Sequence, residues 1–370
     1  MPNLFNEFNL KDVRLKNRIA VSPMCQYSAE EGVPNDWHRS HLGSMAIGGA
    51  GLVVAEMTAV TRDGRHTPGD TGLWNNAQAE AFQPITRFIE QMGAVPGIQL
   101  GHAGRKASVN PPWLGNDHLP ADHPDAWEPI APSALALGGT LQRVPREMNL
   151  DDIAQVREGF VSAAERALGA GFKWLELHFA HGFLPQSFFS PLANRRTDGY
   201  GGSFENRARF LLETLSAVRE VWPERLPLSV RLGVIDYVEG EQPLEESIEL
   251  VRQLKALGLD FLDVSLGFNT ADASQVPWGQ PGFLVPIAHQ IRREAGIPVA
   301  ASWNISDPEQ ADTYIREEQL DVVMLAKAML SNPHWPYQAA QKLGVKAPSE
   351  ALPTQYAFWL KPHDRIVGDE

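Results

Sequence analysis

Cysteine is almost absent from this chain, and so are long apolar runs. Its 370 residues contain one cysteine, Cys25, which excludes disulfide bonds within the chain and metal sites that need several cysteine ligands. No apolar run reaches the ~18 residues of a membrane-spanning helix. Residues 1–17 lack the basic and then apolar pattern of a secretory signal. We therefore expect a cytoplasmic protein with no membrane partner.

Basic residues are also fewer than acidic ones. Lysine and arginine number 32 against 45 aspartate and glutamate residues, so the formal net charge is -13 and the isoelectric point about 5.3. This balance argues against a nucleic-acid partner, and a phosphate-bearing ligand would need a local basic pocket. The hydrophobic content of 43% and the charged content of 21% are typical of a globular protein with a large core.

Short apolar runs alternate with segments of helical period along most of the chain. Eight runs predict strands, at 17–24, 51–57, 97–102, 174–178, 228–232, 261–265, 297–302 and 321–326. The segments between them have the apolar spacing and capping residues of helices, as in 77–92 and 203–222. This alternation predicts an α/β fold, a (β/α)8 TIM barrel of parallel strands. We expect residues 1–370 to form one domain, with residues 1–16 as a lid or a short hairpin.

Residues 103–148 interrupt the alternation after the third strand. They are rich in Pro, Gly, Asp and His and show little periodicity. Long loops inside a compact domain are uncommon unless they serve a function. We interpret this segment as an excursion of loops and a hairpin that forms a wall of the active site.

Two histidines, His178 and His181, follow directly on the fourth strand run. Because chemistry in barrels sits at the carboxyl ends of the strands, both imidazoles are expected to point into the barrel mouth. Two N–H donors there could hold one ligand oxygen. A hydrogen-bonded structural pair, or half of a metal site, would have the same spacing. No carboxylate-rich pattern lies nearby to complete a metal site, so we expect no metal.

Three motifs together resemble the old yellow enzyme family. They are KNRIAVSPM at 16–24, HFAHG at 178–182 and SPLANRRTDGYGGSFENR at 190–207. The third motif is long and unusual, and the resemblance covers essentially the whole chain. Two further pairs resemble the xenobiotic reductase A and YqjM-like branch, namely Cys25 with Tyr27 and His102 with Arg105.

The resemblance implies an FMN-dependent ene-reductase that takes electrons from NADPH or NADH. FMN would be held tightly, without a covalent link, by residues at the strand ends: Ser22, Pro23, Met24, Cys25, Met57, Gln99, His178, Arg231, Ser302, Trp303, Ala326 and Lys327. Gln99 would meet the pyrimidine edge of the flavin, and Arg231 the region of N1 and O2. An ion pair inside the barrel is the alternative for Arg231. The chain has no GxGxxG fingerprint that would decide between the two coenzymes.

The resemblance also implies catalytic contacts. His178 and His181 would hold the carbonyl or nitro oxygen of an α,β-unsaturated substrate, so that the β-carbon accepts a hydride. Tyr27 would donate its hydroxyl to the substrate oxygen, and Cys25 would tune the flavin. The alternative for Cys25 and Tyr27 is ordinary packing.

The resemblance further implies that two tryptophans and the end of the chain shape the substrate pocket. Trp303 would lie at the barrel mouth. Trp359 would reach the substrate, in some relatives across a dimer contact, so we place residues 345–370 at such a contact. The expected assembly is a homodimer or a dimer of dimers, and simple packing or interface burial is the alternative for both tryptophans.

Four positions depart from the family pattern. Phe183 stands where relatives have the tyrosine that protonates the α-carbon, so alkene reduction could be slowed by up to ~10²–10⁴-fold. Ala326 and Lys327 replace a common Gly-Arg pair at the phosphate, and Asn304 replaces a common glycine. Lys327 can still pair with phosphate as a point charge, although it lacks the fork of arginine. Nitrate esters and quinones, which need no carbon protonation, should be affected less.

These departures keep two other functions open. One is the reverse reaction, the oxidation of saturated ketones to enones, which slow protonation would favour. The other is a flavin-binding protein with little catalysis.

Overall fold

The computed structural model of the protein describes residues 3–367. In chain order the strands are β1 (Phe8–Leu10), β2 (Val13–Leu15), β3 (Ile19–Val21), β4 (Leu52–Ala59), β5 (Val95–Gly101), β6 (Ile130–Ala131), β7 (Arg146–Glu147), β8 (Trp174–Phe179), β9 (Leu228–Ile235), β10 (Phe261–Leu266), β11 (Val299–Ala301) and β12 (Val322–Leu325). The helices are α1 (Asp36–Ile47), α2 (Asn76–Gln91), α3 (Leu150–Gly169), α4 (Leu184–Phe189), α5 (Phe204–Val221), α6 (Leu244–Ala256), α7 (Val285–Ala295), α8 (Pro308–Arg316), α9 (Lys327–Ser331), α10 (Trp335–Lys342) and α11 (Thr354–Val367).

Eight of the strands close into a parallel barrel. Their order around the barrel is β3-β4-β5-β8-β9-β10-β11-β12, and β12 pairs with β3 to complete the circle. The predicted (β/α)8 barrel is therefore confirmed. Three barrel strands, β3, β11 and β12, are shorter than predicted. At β3 and β11 a proline, Pro23 or Pro298, offers no backbone N–H to a neighbouring strand.

The helices bury the apolar faces that the sequence predicts. In α3 the residues Ile153, Val156 and Phe160 are all buried, and the Asn149 side chain caps the helix by accepting from the Asp152 N–H at 2.9 Å. The hydroxyl of Ser203 accepts from the Asn206 N–H at 3.4 Å and so caps α5. These helices cover the outside of the barrel.

The first two strands form a short antiparallel hairpin at the amino end of the barrel. The Phe8 ring lies 6.0 Å from the ring of Phe261, which is the first residue of β10. Trp174, the first residue of β8, packs on the same ring at 5.2 Å. Because the candidate site lies at the opposite, carboxyl end, the hairpin closes the barrel floor and is not a lid over the site.

Residues 103–148 are mostly loop. Their two short strands, β6 and β7, pair in parallel, and hairpin-like antiparallel pairing is limited to single bridges, Val109 with His118 and Gly138 with Leu141. Helix α4, directly after the fourth barrel strand, and the helices after residue 326 were not predicted. Among the helices of residues 3–367, none combines the length and the hydrophobicity that a membrane span requires.

Candidate active site

Two neighbouring cavities open at the carboxyl ends of the barrel strands. The smaller, of about 490 Å³, is bounded by His178, Phe183 and the excursion. The larger, of about 630 Å³, extends to Ser302 and Lys327. Both are lined by Pro23, His181 and Arg231, so they meet at these three residues. Together they form one elongated trough, in which the smaller cavity is the short arm and the larger cavity is the long arm.

Arg231 is the cation at the junction of the two arms. Its guanidinium donates to the hydroxyl of Ser302 at 2.9 Å and to that of Ser22 at 3.3 Å. Its Nε lies 3.1 Å from the carboxylate of the fully buried Asp263. These three contacts come from residues in or directly after three other barrel strands, β3, β10 and β11, and they fix a positive charge in the floor of the trough. Three of the predicted cofactor residues are thus brought together.

A second polar pair lies beside this cation. Gln99 donates from its amide to Glu176 at 2.7 Å. Burial, with the added charge of Asp263, raises the pKa of Glu176 to about 8. The side-chain oxygen of Gln99, which lines the short arm, accepts no hydrogen bond from the part of the chain described and can accept one from a ligand. Glu176 and Asp263 were missed, although each is a single charged residue inside an apolar strand run, and that pattern could have identified them.

The two predicted histidines stand side by side at the mouth. Their ring centroids are 4.9 Å apart. The buried Nδ1 of His178 has no hydrogen-bond partner within residues 3–367, while Nε2 of His181 lies 2.7 Å from the Ser265 hydroxyl. Burial, followed by the charge of Arg231, lowers the pKa of both histidines well below the usual value. Both rings are therefore neutral near pH 7, and each carries one N–H donor.

Several residues of the trough have left-handed backbone. Tyr27, His181, Trp303 and Asn304 have φ values of 52°, 60°, 73° and 56°. Such conformations cost non-glycine residues roughly 1–3 kcal/mol each and persist where the surrounding structure enforces them. At Tyr27 the neighbouring main chain packs closely enough to hold this conformation, because a Cβ on Gly69 would lie 2.4 Å from the Tyr27 carbonyl oxygen. Clustered strain of this kind is a mark of functional sites.

Phe183 occupies the wall of the short arm. Its ring is 4.8 Å from that of His178 and 5.9 Å from that of His66, and it packs against Met57 in a small apolar cluster. His66 was not predicted; burial lowers its pKa to about 3. Cys25 lines the same arm.

Both titratable groups predicted after the first strand keep their protons. Burial, then the charges of Asp70 and Glu56, raises the pKa of the Cys25 thiol. Burial also raises the pKa of Tyr27, with the Cys25 group as the second cause. Each therefore presents an S–H or O–H at neutral pH.

The long arm ends at the last two barrel strands. Ala326 and Lys327 line it together with Asn304, whose amide donates to the Trp278 carbonyl. Across the described residues, no carboxylate lies within 4.0 Å of the Lys327 ammonium. This cation is thus free to meet an anionic group. The predicted Trp303 lines the long arm, with its ring 6.1 Å from that of His181.

Two predicted residues do not line the trough. The Met24 side chain packs against the barrel core, so a flavin contact through its backbone stays a prediction. Trp359, on α11, is 77% exposed and lines neither cavity of its own chain. The expected substrate contact would need a second copy of the chain, and the dimer contact at residues 345–370 stays a prediction.

The excursion does supply a wall. Asn116 and residues 137–141 line the short arm, as does Lys106 at its start. Lys106 was not predicted. Over residues 3–367, no group of three or more His, Cys, Asp or Glu side chains is placed to hold a metal ion.

The closed parallel barrel, with cationic and imidazole groups at its carboxyl end, was compared with known proteins. The comparison places the protein among the oxidoreductases with a (β/α)8 barrel. The model of the NADH:flavin oxidoreductase / NADH oxidase family matches residues 3–345. The chain belongs to this family.

Curated relatives and solved structures agree with the family match. The NADPH dehydrogenase of Listeria monocytogenes serovar 1/2a (strain ATCC BAA-679 / EGD-e) is 41% identical over 354 residues, 95% of this chain and 98% of the relative. That of Geobacillus thermodenitrificans (strain NG80-2) is 40% identical over 355 residues, 95% of this chain and 97% of the relative. The structure of morphinone reductase in complex with tetrahydroNAD superposes with a TM-score of 0.78 at 27% identity, covering 96% and 97% of the two chains. An old yellow enzyme homologue from Zymomonas mobilis gives 0.76 at 26% identity, covering 92% and 93%.

The predicted membership in the old yellow enzyme family is confirmed by these matches. The protein is an oxidoreductase that uses FMN and NAD(P)H and acts on small molecules. The trough fits FMN, since it combines a fixed guanidinium, a free amide oxygen and, at the far end of the long arm, an unpaired ammonium.

Proposed function

We propose that this protein reduces the C=C bond of α,β-unsaturated carbonyl compounds, and also nitro compounds, with NADPH or NADH as the reductant. The observation that carries the proposal is the pair of neutral imidazoles, His178 and His181, beside a trough whose floor holds Arg231. Neutral N–H donors suit an oxygen that gains negative charge during the reaction. A structural pair would not leave the buried Nδ1 of His178 without a partner.

The cofactor would be held along the whole trough. Arg231 and Gln99 would bind the flavin ring from the floor, with Ser22 and Ser302 orienting the guanidinium. Lys327 would pair with the phosphate at the end of the long arm. When bound, FMN supplies the hydride that the substrate accepts and regains it from NAD(P)H.

The substrate would lie in the short arm. His178 and His181 would donate to its oxygen, which draws electrons from the conjugated C=C bond and prepares the β-carbon for hydride. Tyr27 offers a further O–H in the same arm. Cys25 would lie beside the flavin as a neutral thiol and tune it.

The proton for the α-carbon would not come from residue 183. Phe183 has the position of a proton donor but no hydroxyl, and its cluster partners Met57, Ala103 and Ala107 are apolar. Water or Tyr27 would supply the proton, so reduction of alkenes should be slow relative to reduction of quinones. Phe183 would then act as a wall of the substrate pocket.

The missing hydroxyl at Phe183 favours a second candidate function, the oxidation of saturated ketones to enones with oxygen as the final acceptor. A missing proton donor slows the competing reduction and leaves the reverse reaction visible. Product analysis with a saturated ketone in air and an enone without oxygen separates the two directions.

A direct experiment tests the proposal. Purified protein should be yellow, and NADPH without oxygen should bleach the flavin absorbance; 2-cyclohexenone or a quinone should then restore it. Yellow protein that NADPH cannot bleach would instead support a flavin-binding protein with little catalysis. Bleaching that no enone, quinone or nitro compound reverses would refute the proposed substrates.

A further inference from the structure

The proposed function assigns no role to Lys106, yet this side chain connects two walls of the short arm. It ends the short 3-10 turn Gly104–Lys106 that comes after β5. Its ammonium donates to the carbonyl oxygen of His181 at 2.5 Å and to that of Phe268 at 3.1 Å. These acceptors belong to different turns, one after β8 and one after β10, so one side chain joins both turns.

Both turns are held in an unfavourable backbone conformation. His181 has a φ of 60° and Phe268 a φ of 51°. Non-glycine residues adopt this conformation rarely, and only where neighbouring contacts hold them in it. An ammonium has three donors and no acceptor, and charged donors make the stronger hydrogen bonds. Lys106 supplies such a contact to both residues.

The turns touch each other at the same place. A Cβ on Gly182 would lie 2.2 Å from the Phe268 carbonyl oxygen and 3.0 Å from the Lys106 ammonium. There is no room for a side chain at this position, so the main chains are in direct contact. Lys106 therefore lies at the junction of the two turns and not beside one of them.

The orientation of the His181 ring depends on this junction. Its backbone N–H donates to the Leu266 carbonyl at 3.1 Å, its carbonyl accepts from Lys106, and its Nε2 lies 2.7 Å from the Ser265 hydroxyl. Lys106 provides the charged contact among the three. The ring of Phe268 then packs 5.9 Å from the His181 ring.

We propose that Lys106 is a positioning residue for His181: by joining the turns at His181 and Phe268, its ammonium holds the imidazole toward the substrate oxygen. The inference rests on the proposed function, because it takes that oxygen to be bound by the histidine pair. The charge has a second consequence, since it also lowers the pKa of His178 and His181 and so favours their neutral forms.

The charge of Lys106 depends on pH in the neutral range. Burial, followed by the charge of Arg105 on the same turn, lowers the pKa of Lys106 to about 7, and Asp236 at the end of β9 opposes this. The imidazoles that its charge reaches, those of His66, His178 and His181, are neutral because burial lowers the pKa of each. The ammonium is therefore present below about pH 7 and is lost above it, so binding of the substrate oxygen should weaken as pH rises.

Lys106→Met tests the proposal because it keeps the aliphatic stem and removes the ammonium. Two readouts avoid dependence on turnover alone: the flavin absorbance change on binding a phenol that stays protonated over the pH range, and the FMN content per chain. We expect the Kd of the phenol to rise about tenfold, kcat/KM for 2-cyclohexenone to fall as much, and FMN content to stay unchanged. The wild-type decline in kcat/KM above about pH 7 should be absent from the variant.

Two further variants keep the test decisive. Lys173→Met, which removes an ammonium at the amino end of the barrel, should match the wild type in every readout. If Lys106→Met folds poorly, Lys106→Gln retains an N–H donor without charge and should lose the pH dependence.

The outcomes separate the inference from the proposed function. A wild-type protein that neither binds the phenol nor reduces the enone would refute the proposed function itself. A wild type that does both, with Lys106→Met within threefold of it at all pH values, would overturn the role of Lys106. So would losses in the variant that only follow a lower FMN content.

Discussion

Phe183→Tyr is the change that most directly probes the chemistry of the short arm. It adds one hydroxyl to a ring that is 8% exposed and lies 4.8 Å from the ring of His178. The hydrophobic residues that pack on this ring carry no hydroxyl, so position 183 itself offers no proton donor in the wild type. A positioned general acid contributes ~10²–10⁴-fold, which corresponds to about 2.7–5.4 kcal/mol of barrier. We expect reduction of 2-cyclohexenone by the reduced enzyme to accelerate within this range.

The assay must separate the two half-reactions. Anaerobic stopped-flow absorbance follows bleaching of the flavin by NADPH and its recovery with substrate. The substitution should leave bleaching, and recovery with a quinone, within about threefold, because neither needs a proton on carbon. The free energy of unfolding should fall by at most about 1–3 kcal/mol, the cost of a buried hydroxyl that finds no partner.

A matched control places the same hydroxyl elsewhere. Phe268→Tyr adds it to the aromatic wall 5.9 Å from the ring of His181, and recovery with 2-cyclohexenone should not accelerate. Equal rates of enone reduction in Phe183→Tyr and the wild type would show that protonation at this position does not limit the reaction. Acceleration by both variants would show that the gain is not specific to position 183.

Three other changes test the remaining parts of the trough. His181→Ala should lower kcat/KM for enones by about 10²–10³-fold, as for loss of one oxyanion donor, and an unchanged steady-state value would contradict the role of the pair. Lys327→Arg should slow FMN release, since a guanidinium can grip phosphate with two hydrogen bonds; the fluorescence of FMN released on dilution measures this, and faster release would place the phosphate elsewhere. Asp263→Asn leaves the buried Arg231 without its counter-charge and should lower the free energy of unfolding of the apoprotein by roughly 3–5 kcal/mol, which urea titration would detect; a loss below about 1 kcal/mol would mean that Arg231 is compensated by its serine partners.

The order of the strands and the place of the chemistry were readable from sequence because both are local patterns. Runs such as WLELH at 174–178 predict buried strands, and a barrel brings all their carboxyl ends to one face. His178 and Arg231 could therefore be assigned to one mouth although they lie far apart in sequence.

The unpredicted residues are those whose role depends on contacts between loops. Lys106 follows a glycine-rich turn and looks like any basic residue, and only packing brings its ammonium onto the carbonyls of His181 and Phe268. His66 comes to Phe183 through the loop after β4, for which the sequence has no periodic signal.

The amino-acid sequence by itself determined the barrel, the family and the imidazole pair, because periodicity and contiguous motifs are encoded within short stretches of chain. The tertiary structure decided that the two cavities meet at Arg231, that Glu176 and Asp263 support the floor, and that Trp359 stands away from its own pocket. Such facts depend on distances between segments separated by many residues, and those distances exist only once the barrel has closed.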